Sequence, residues 1–563
     1  MTNWDHTTDV LIVGTGGGGM TAALVAKQAG LDVLMVEKSE YYGGSTALSG
    51  GGLWIPNNYL LQRDGLDDSL EKARTYLQST VGNRTPQSLQ DAYLENAPEM
   101  VKYLAGNSHV RFQRAKGYAD YYPERPGGMA DGRALEAAPF NGAKLGSDFP
   151  QLRPMSLEAP AGLAFSIGEF NKLGMITSTW AGKWTALKVG IRTIFNILTG
   201  VKYLTLGRTL IARLRLSLKD ENVPIWLNSP LKEIVIENGA CVGIVVEKDG
   251  KPIRIRANKG VVLAAGGFDH NQAMREKYQK APVNHEWSSG NPANTGDTIQ
   301  AGMKIGGKID LMDDAWWGPT SVPPNAPPMF HVGERSYPGG IMVNAAGKRF
   351  TNEAASYVEV VHAMYEKHTK EVPHVPATFI MDSRYRSKYI FGTLFPMQAI
   401  PESYFTSGYF KRADTIEELA KQCGMDPRTL AETIQRFNQF ALSGVDEDFR
   451  RGDSAYDRYY GDPTVKPNPC LAPIQKPPFY AVQMVAGDLG TKGGLVMDEH
   501  ARVLREDGSV VSGLYAVGNN SASVMGNTYP GPGSTIGPSM TFGYIAAKHI
   551  AGGKIRPLGN CRN

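Results

Sequence analysis

The stretch DVLIVGTGGGGMTAALVAKQAGLDVLMVE, from Asp9 to Glu37, decides the fold of this chain. Its apolar run Val10–Val13 predicts a buried parallel strand, and three glycines in G-x-G-x-x-G spacing follow directly. The segment Met20–Ala29 has helical periodicity, and a second apolar run, Val33–Val36, ends next to the acid. This order predicts the dinucleotide-binding unit of a Rossmann-like α/β domain, which consists of a strand, a glycine turn, a helix, a second strand and a terminal acid.

Each position of this unit has a physical role. Gly14 permits the tight turn, and Gly16 lets the backbone approach a pyrophosphate closely. Gly19 lets the helix pack close to the strand, while the helix N-terminus offers its N–H groups and positive dipole end to the phosphates. The Glu37 carboxylate is expected to accept hydrogen bonds from a ribose hydroxyl, and its charge would repel a 2′-phosphate.

Two glycine clusters that follow Glu37, Gly43–Thr46 and Ser49–Gly52, favour FAD over NAD. An NAD dehydrogenase would normally continue into another βα unit at this point. In FAD proteins of the glutathione-reductase type, this segment passes the diphosphate and the isoalloxazine ring instead. The alternative interpretation of these clusters is a turn-rich surface loop.

Later segments predict the remaining FAD contacts. The apolar strand Gly260–Gly267 closes the first FAD-binding portion, and the strand Gly513–Asn519 places an amide where an acid often binds the ribitol. The glycine-rich segment Tyr529–Gly537 opens the last helix, whose N-terminus can stabilise negative charge on the reduced flavin. The predicted residues for non-covalent FAD binding are Gly14, Gly16, Gly17, Gly19, Glu37, Lys38, Gly44, Ser45, Thr46, Ser49, Gly50, Gly51, Ala265, Gly266, Gly518, Asn519, Ser534 and Ile536.

The length of 563 residues exceeds what one hydrophobic core normally serves, so we expect two domains. Near Leu311 the composition changes to tryptophans and a proline-rich loop, Pro319–Pro328. We therefore predict an FAD-binding α/β domain made of residues 1–314 and 491–563. An α+β substrate and catalytic domain, residues 315–490, would be inserted between its two parts.

Composition excludes some functions and favours a location. A net charge of +4, with 42% hydrophobic and 20% charged residues, is ordinary for a soluble protein, and no nucleic-acid partner is expected. The four cysteines form neither C-x-x-C pairs nor a metal-ligand spacing, which favours a reducing cytosol and predicts no metal site. No leader-like N-terminus and no run of about 18 apolar residues are present, so we expect a cytoplasmic protein without a signal peptide or spanning helix.

A basic segment interrupts the first FAD-binding portion. From Phe170 to Lys219 there are nine Lys and Arg residues and no Asp or Glu, interleaved with aromatic and aliphatic residues. Residues 170–206 form a basic amphipathic insertion, for which two interpretations stay open; one is contact with an anionic membrane surface on the cytoplasmic face. The alternative is a helical cover over the FAD-binding domain with a solvated basic edge.

Four segments carry a resemblance to a known family: Asp120–Tyr122, Asn352–Tyr357, Asp488–Gly494 and Tyr529–Gly533. Together they resemble the 3-ketosteroid Δ1-dehydrogenases, within the succinate dehydrogenase/fumarate reductase flavoprotein superfamily. The resemblance extends over nearly the whole chain. It is to the longer members, since residues 170–206 are an addition relative to the shorter ones.

This resemblance implies a reaction and a set of catalytic residues. The family removes a hydride from carbon 1 and a proton from carbon 2 of the A ring of a 3-ketosteroid. The Tyr529 hydroxyl and the Gly533 N–H would polarise the ketone, as in an oxyanion hole. Tyr357 matches the base and Tyr121 the tyrosine that assists it. An electron acceptor, a quinone or another, would reoxidise the flavin; no feature indicates an oligomeric state.

Related functions remain as alternatives. A 3-ketosteroid 4,5-dehydrogenase shares fold, cofactor and steroid, and differs in which carbons face the flavin. A fumarate reductase is disfavoured, because the segment Asp488–Gly494 contains no histidine to grip a dicarboxylate. A flavin electron carrier at a membrane surface is disfavoured as well, since it would have no use for tyrosines in the Gly/Pro-rich loops of a substrate pocket.

Overall fold

The computed structural model describes residues 4–155 and 163–559. In these residues the strands are β1 His6–Val13, β2 Val33–Val36, β3 Leu53–Trp54, β4 Phe112–Arg114, β5 Ala134–Ala137, β6 Phe140–Asn141, β7 Tyr203–Leu204, β8 Ile225–Trp226, β9 Leu231–Glu237, β10 Ala240–Lys248, β11 Lys251–Leu263, β12 Ile309–Asp310, β13 Ala315–Ser321, β14 Met329–Phe330, β15 Gly340–Val343, β16 Ala377–Asp382, β17 Phe410–Ala413, β18 Phe479–Thr491, β19 Gly494–Leu495, β20 Arg502–Leu504 and β21 Val510–Ala516. The α-helices are α1 Gly17–Gln28, α2 Gly44–Leu48, α3 Tyr59–Arg63, α4 Leu70–Thr80, α5 Gln87–Asn107, α6 Ile167–Leu173, α7 Trp180–Thr199, α8 Leu206–Asp220, α9 Gln272–Tyr278, α10 Asp297–Lys304, α11 Tyr357–Lys367, α12 Ser383–Lys388, α13 Glu402–Thr406, α14 Ile416–Gln422, α15 Pro427–Ser443, α16 Ala455–Tyr460 and α17 Ile536–Ile550.

The larger sheet has the order β20-β21-β11-β1-β2-β8, and β21, β11, β1, β2 and β8 run parallel. Helix α1 packs against α8 and α17 beside this sheet. The first half of β11 also pairs with β10, and β10 with β9, through antiparallel hairpins. Chain segments from both ends of the sequence thus form one parallel sheet, which confirms the Rossmann-like α/β prediction.

The glycine turn after β1 explains why the helix begins where it does. Gly14 has φ +104°, and a Cβ there would lie 2.4 Å from the Ala264 carbonyl oxygen. Gly16 is the N-cap residue with extended backbone, so α1 begins at Gly17. This start lies upstream of Met20, where the apolar periodicity begins, because the first helical residues are glycines and carry no side chain that could show the pattern.

A second sheet lies between residues 315 and 491, with the order β14-β13-β18-β16-β15 and β17 paired to β18. Its pairings are antiparallel. One face packs on α11 and the other on α14 and α15, which is an α+β arrangement. Strand β18 continues to Thr491, whose hydroxyl accepts from the N–H of Phe268, a residue that follows β11. The domain boundaries at 314 and 490 stay predictions.

Helix α7 in the basic insertion has an unusual distribution of side chains. Its buried face consists of Gly182, Thr185, Val189 and Thr193. Its exposed face carries large apolar residues: Trp180, Trp184, Leu187, Ile191, Ile194, Phe195, Ile197 and Leu198. A helical cover would bury its apolar side chains, so that alternative does not describe α7. Among the described residues, no helix combines the length and apolar character needed to cross a bilayer.

Candidate active site

A cavity runs from the carboxyl ends of the parallel strands to the second sheet. Its wall includes Val13 and Val36 at the ends of β1 and β2, and Leu489 from β18. This is the edge of an open α/β sheet at which ligands bind. The predicted site residues in its wall are Gly14, Gly16, Gly17, Glu37, Lys38, Gly44, Ser45, Thr46, Ser49, Gly50, Gly51, Tyr121, Ala265, Gly266, Tyr357, Gly518, Asn519, Tyr529, Gly533 and Ile536.

Two predicted cofactor residues, Gly19 and Ser534, lie outside the cavity wall. A Cβ on Gly19 would lie 2.4 Å from the Gly14 carbonyl oxygen, so Gly19 serves the close packing of α1 beneath the turn. The Ser534 hydroxyl donates to the Gly531 carbonyl oxygen at 2.8 Å and accepts from the Gly531 N–H at 3.0 Å. Both residues shape the backbone around the cavity and do not present groups to it.

The glycine-lined end of the cavity fits FAD. A Cβ on Gly16 would meet only the Thr46 hydroxyl, at 3.7 Å, and one on Gly50 would meet nothing within 4 Å. Both backbones therefore border open space, into which a diphosphate or a flat ring can come close. The N-terminus of α1 points its N–H groups to the same place, as phosphate binding requires.

Glu37 and Lys38 line this end but already have protein partners. One Glu37 carboxylate oxygen accepts from the Thr15 hydroxyl at 2.6 Å, and the other accepts from the Ser39 N–H at 3.1 Å. The first oxygen also accepts from the Thr15 N–H at 3.1 Å, so the second oxygen is the one that retains a lone pair for a ribose hydroxyl. The Lys38 ammonium is 2.7 Å from an Asp297 carboxylate oxygen, so its charge joins β2 to α10. The ammonium is therefore occupied, and the aliphatic part of the Lys38 side chain is what remains for the predicted contact with the cofactor.

The other end of the cavity contains a cluster of tyrosines. The Tyr121 and Tyr357 hydroxyl oxygens are 3.0 Å apart, and their rings meet edge to face at 5.5 Å. The Tyr529 ring stacks on Tyr121 at 5.0 Å and meets Tyr357 at 5.4 Å. The Tyr121 hydroxyl also lies 3.3 Å from the Tyr118 hydroxyl, which in turn lies 2.5 Å from the Tyr460 hydroxyl. Four hydroxyls thus form one continuous chain.

Backbone contacts hold the loops that carry these tyrosines. The Tyr121 N–H donates to the Pro530 carbonyl oxygen at 2.9 Å, and the Tyr76 hydroxyl donates to the same oxygen at 2.6 Å. Tyr357 is the first residue of α11, so its position is fixed by a regular helix. Segments that are far apart in the sequence are therefore fastened directly to one another at the cavity.

Tyr529 and Gly533 lie close together in the cavity wall, where the Gly533 N–H faces the Tyr529 oxygen. Burial raises the pKa of Tyr529, while the Thr535 hydroxyl, Tyr357 and the Gly533 N–H oppose the rise. The Thr535 hydroxyl donates to the Tyr529 oxygen at 3.2 Å. Gly533 has φ +97°, and a Cβ there would lie 2.3 Å from the Gly52 carbonyl carbon, so this position requires glycine. That this pair binds a carbonyl oxygen of a ligand stays a prediction.

Burial dominates the acid–base properties of the tyrosine cluster. It raises the pKa of both Tyr357 and Tyr121 well above the usual value. The hydrogen bond from Tyr121 opposes this rise at Tyr357, because it stabilises the phenolate. Without a ligand these groups are therefore neutral hydrogen-bonding hydroxyls at physiological pH.

A buried ion pair lies behind the aromatic side chains at the tyrosine end of the cavity. The Lys492 ammonium lies 3.0 Å from an Asp314 carboxylate oxygen, and His362 lies 3.0 Å from the other oxygen. Lys492 is 4.9 Å from the Trp316 ring, and Trp316 meets the Tyr529 ring edge to face at 4.9 Å. The pair thus positions Trp316, which in turn positions Tyr529.

Sequence reasoning missed several residues of this site. Tyr118 lies beside Tyr121 in the same tyrosine-rich loop, so local composition could have indicated it. Thr535 lies between the predicted residues Ser534 and Ile536, so its place in that motif could have indicated it. Tyr460 and Trp316 gave no such signal: Tyr460 lines the cavity and Trp316 packs against Tyr529, and only the packing of their segments brings them there.

Residues 9–536 match the family described as FAD binding domain. The chain is 49% identical over 552 residues to a 3-oxosteroid 1-dehydrogenase of Mycobacterium tuberculosis, an alignment that covers 96% of this chain and 98% of the relative. The family match identifies FAD as the cofactor.

Solved structures agree with the sequence relatives. A 3-ketosteroid Δ1-dehydrogenase from Sterolibacterium denitrificans, in complex with 1,4-androstadiene-3,17-dione, superposes with a TM-score of 0.93 and 43% identity over 97% of this chain and all of that one. A 3-ketosteroid-Δ4-(5α)-dehydrogenase from Rhodococcus jostii, with a TM-score of 0.67, 20% identity and coverage of 98% of both chains, shares the fold. This chain therefore belongs to the FAD binding domain family and, within it, to the 3-oxosteroid 1-dehydrogenases.

Proposed function

We propose that this chain catalyses the FAD-dependent 1,2-desaturation of the A ring of 3-ketosteroids, for example of a 4-ene-3-one to a 1,4-diene-3-one, in steroid catabolism. The observation that carries the proposal is the meeting of Tyr121, Tyr357, Tyr529 and the Gly533 N–H in one cavity with the dinucleotide-binding segments. The sequence relatives support the same activity.

The Tyr529 hydroxyl and the Gly533 N–H bind the carbon-3 ketone oxygen. Their two hydrogen bonds withdraw electron density from the ketone and acidify the proton on carbon 2, which is α to it. Donors fixed in a water-poor site before the reaction contribute more than the same donors in water, because they need no reorganisation. The Trp316 ring holds Tyr529 in place for this role.

Tyr357 takes the proton from carbon 2. A free tyrosine with a pKa near 10 is only about 0.1% ionised at pH 7, which corresponds to roughly 4 kcal/mol. Burial increases this cost, so a permanent phenolate is not expected. The Tyr121 hydroxyl donates to the Tyr357 oxygen as negative charge develops there and so lowers the cost. FAD bound in the cavity supplies the acceptor for the carbon-1 hydride.

The reaction is tested with purified holoenzyme and 4-androstene-3,17-dione without oxygen. Loss of the visible flavin absorbance and formation of the 1,4-diene, identified by mass and NMR, are expected. Conversion of 5α-androstane-3,17-dione to its 4-ene, with no reaction of the 4-ene itself, would assign the chain to the 4,5-dehydrogenases. No bleaching with either steroid would favour the electron carrier.

Tyr357→Phe tests the base separately. It removes only the hydroxyl, so we expect FAD to stay bound and flavin reduction to slow by about 10² to 10⁴-fold. Tyr480→Phe, on β18 and away from the cavity wall, is the matched control and should react at the wild-type rate. Near-normal reduction by Tyr357→Phe would remove this residue as the base.

A membrane contact through residues 170–206 is the second part of the proposal. The exposed apolar side chains of α7 would each gain about 1.5–3 kcal/mol on full burial. The Lys183 and Lys188 ammonium groups lie 4.9 and 5.3 Å from the Trp180 and Trp184 rings, respectively, where they can reach anionic headgroups.

The same insertion contributes to the cavity. Phe170 and Leu206, at the two ends of the insertion, line its wall, and Phe165 and Ile167 line it just before the insertion begins. An apolar steroid dissolved in a bilayer would therefore enter beside the helix that contacts the lipid. The electron acceptor, a quinone or another oxidant, would meet the enzyme at the same surface if it is lipid-soluble.

A further inference from the structure

The Tyr122 hydroxyl makes two hydrogen bonds that join three separate segments of the chain. Tyr122 is 6% exposed and follows Tyr121 in the loop between β4 and β5. Its hydroxyl donates to a carboxylate oxygen of Glu359, in α11, at 2.6 Å. The same hydroxyl accepts from the Tyr529 N–H, in the segment before α17, at 3.5 Å. The three segments that meet at this hydroxyl are therefore the ones that carry Tyr121, Tyr357 and Tyr529.

The bond from Tyr122 to Glu359 has the properties of a strong and well-anchored contact. Burial raises the pKa of Tyr122 well above the usual value, and Glu359 raises it further, so Tyr122 stays a neutral donor. A hydrogen bond from a hydroxyl to a carboxylate is shorter and roughly twice as strong as one between neutral groups. The loop side is fixed as well, because the Tyr122 N–H donates to the Tyr76 hydroxyl at 3.2 Å and the Arg125 guanidinium lies 4.7 Å from the centre of the Tyr122 ring.

Helix α11 connects Glu359 to the proposed base. Tyr357 is the first residue of the helix and Glu359 is the third, so a shift of the Glu359 backbone also shifts Tyr357. One turn further on, His362 lies 3.0 Å from Asp314, and this contact holds the next turn of the helix. At the first turn, the bond from Tyr122 holds α11 to the loop between β4 and β5.

We propose that Tyr122 is a positioning residue that, through its hydrogen bonds with Glu359 and Tyr529, sets the distance between the base Tyr357 and the ketone-binding Tyr529. The proposal rests on the proposed 1,2-desaturation. In that reaction the ketone oxygen and the carbon-2 proton belong to one rigid ring, so both hydroxyls must fit it at the same time. A misplacement of about 1 Å between reacting groups can cost about 10²-fold in rate.

Tyr122→Phe removes the hydroxyl and keeps the ring and the backbone contacts of the loop. The variant holoenzyme is mixed with 4-androstene-3,17-dione without oxygen, and the rate of flavin reduction is followed over a range of steroid concentrations. We expect the rate at saturation to fall by about tenfold or more. The half-saturating steroid concentration should stay unchanged, because Tyr122 does not line the cavity and the steroid loses no contact.

Variants of Glu359 show whether Tyr122 acts through this bond. Glu359→Gln keeps an acceptor oxygen and should keep the wild-type rate, whereas Glu359→Leu should slow reduction as Tyr122→Phe does. The double variant Tyr122→Phe/Glu359→Leu should be no slower than either single variant, since both changes break the same bond.

Tyr544→Phe is the matched control. It also removes a buried hydroxyl that donates to a carboxylate on another helix, Glu99 at 2.8 Å, but neither residue lines the cavity. In this variant the steroid should reduce the flavin at the wild-type rate.

A wild-type rate in Tyr122→Phe, or additive losses in the double variant, would overturn the proposal. A loss of steroid affinity at an unchanged saturating rate would also overturn it, because Tyr122 would then act on binding and not on the alignment of the base. If Tyr122→Phe does not fold, equal rates for Glu359→Gln and Glu359→Leu would contradict the proposal. No reduction by the wild-type enzyme would instead overturn the proposed function and the inference with it.

Discussion

The hydroxyl oxygens of Tyr121 and Tyr357 lie 3.0 Å apart, although the residues are separated by 236 positions in the chain. Because burial raises the pKa of both groups, each is a neutral hydroxyl at physiological pH. In the proposed reaction, Tyr121 donates to Tyr357 at the moment when Tyr357 gains negative charge. The basicity of the site therefore depends on the fold around the tyrosines and not on a single residue.

The first prediction concerns the chain of hydroxyls beyond Tyr121. Tyr118→Phe removes the hydroxyl that joins Tyr121 to Tyr460. Loss of one hydrogen bond costs about 1 kcal/mol, so flavin reduction by the steroid should slow roughly fivefold in single-turnover experiments.

Tyr459→Phe is the matched control for this change. It keeps the ring that stacks on Tyr118 at 4.5 Å and leaves all four hydroxyls of the chain in place. In this variant, the steroid should reduce the flavin at the wild-type rate. Equal rates for Tyr118→Phe and Tyr459→Phe would show that proton transfer ends at Tyr121.

The second prediction concerns the cofactor end of the cavity. Gly16→Ala places a methyl group in open space that FAD is expected to occupy, at a position with no other backbone conflict. We expect the FAD dissociation constant to rise at least about tenfold, which is 1.4 kcal/mol. The dissociation constant is measured from the fluorescence of the released flavin.

Gly190→Ala serves as the control, since a Cβ at that helical position meets nothing within 4 Å and lies far from the cavity wall. It should retain wild-type affinity for FAD. Unchanged affinity in Gly16→Ala would mean that the cofactor does not approach this turn.

The third prediction concerns the buried ion pair beneath Trp316. Burial alone would raise the pKa of Asp314, but Lys492 and His362 outweigh it and lower the pKa from 3.8 to about 2. The stabilisation is therefore fully present above about pH 4 and is lost as the pH falls towards 2. Asp314→Asn leaves the Lys492 charge buried without its partner, which should cost about 3–5 kcal/mol at pH 7.

Scanning calorimetry measures this cost as a lower melting temperature. Asp313→Asn, the exposed neighbour, is the control and should change stability by less than about 0.5 kcal/mol. The difference between wild type and Asp314→Asn should shrink as the pH is lowered from about 4 to 2. A difference that stays constant over this range would contradict the electrostatic origin.

The fourth prediction concerns the exposed face of α7. The double variant Ile194→Glu/Leu198→Glu should abolish sedimentation with anionic liposomes, because it places two charges on the face proposed to enter the lipid. Turnover of a steroid presented in detergent should persist, since neither residue lines the cavity.

The matched control is Val445→Glu/Leu442→Glu, on a surface outside the insertion. Leu198 and Leu442 are 80% and 74% exposed, so the two variants change comparable positions. The control should sediment with liposomes as wild type does. A wild-type protein that ignores anionic liposomes would contradict the membrane contact.

The sequence alone determined those features that depend on neighbouring residues. The unit from Asp9 to Glu37 specifies strand, turn and helix by local periodicity and by glycines at fixed spacing, so the parallel sheet and the dinucleotide site could be predicted. The hairpin turns at Asn238-Gly239 and Asp249-Gly250 have positive φ at both residues, as such dipeptides favour. The tyrosines at 121, 357 and 529 could be named because their motifs resemble a family.

Tertiary structure decided which distant groups meet and which faces remain exposed. Gly19 and Ser534 belong to recognisable motifs, yet packing turns them away from the cavity. Tyr460 carries no local signal, and only the docking of α16 brings it to the tyrosine cluster. The apolar side of α7 faces outward because small residues form its packed side. These outcomes depend on distances between remote segments, which local sequence patterns do not encode.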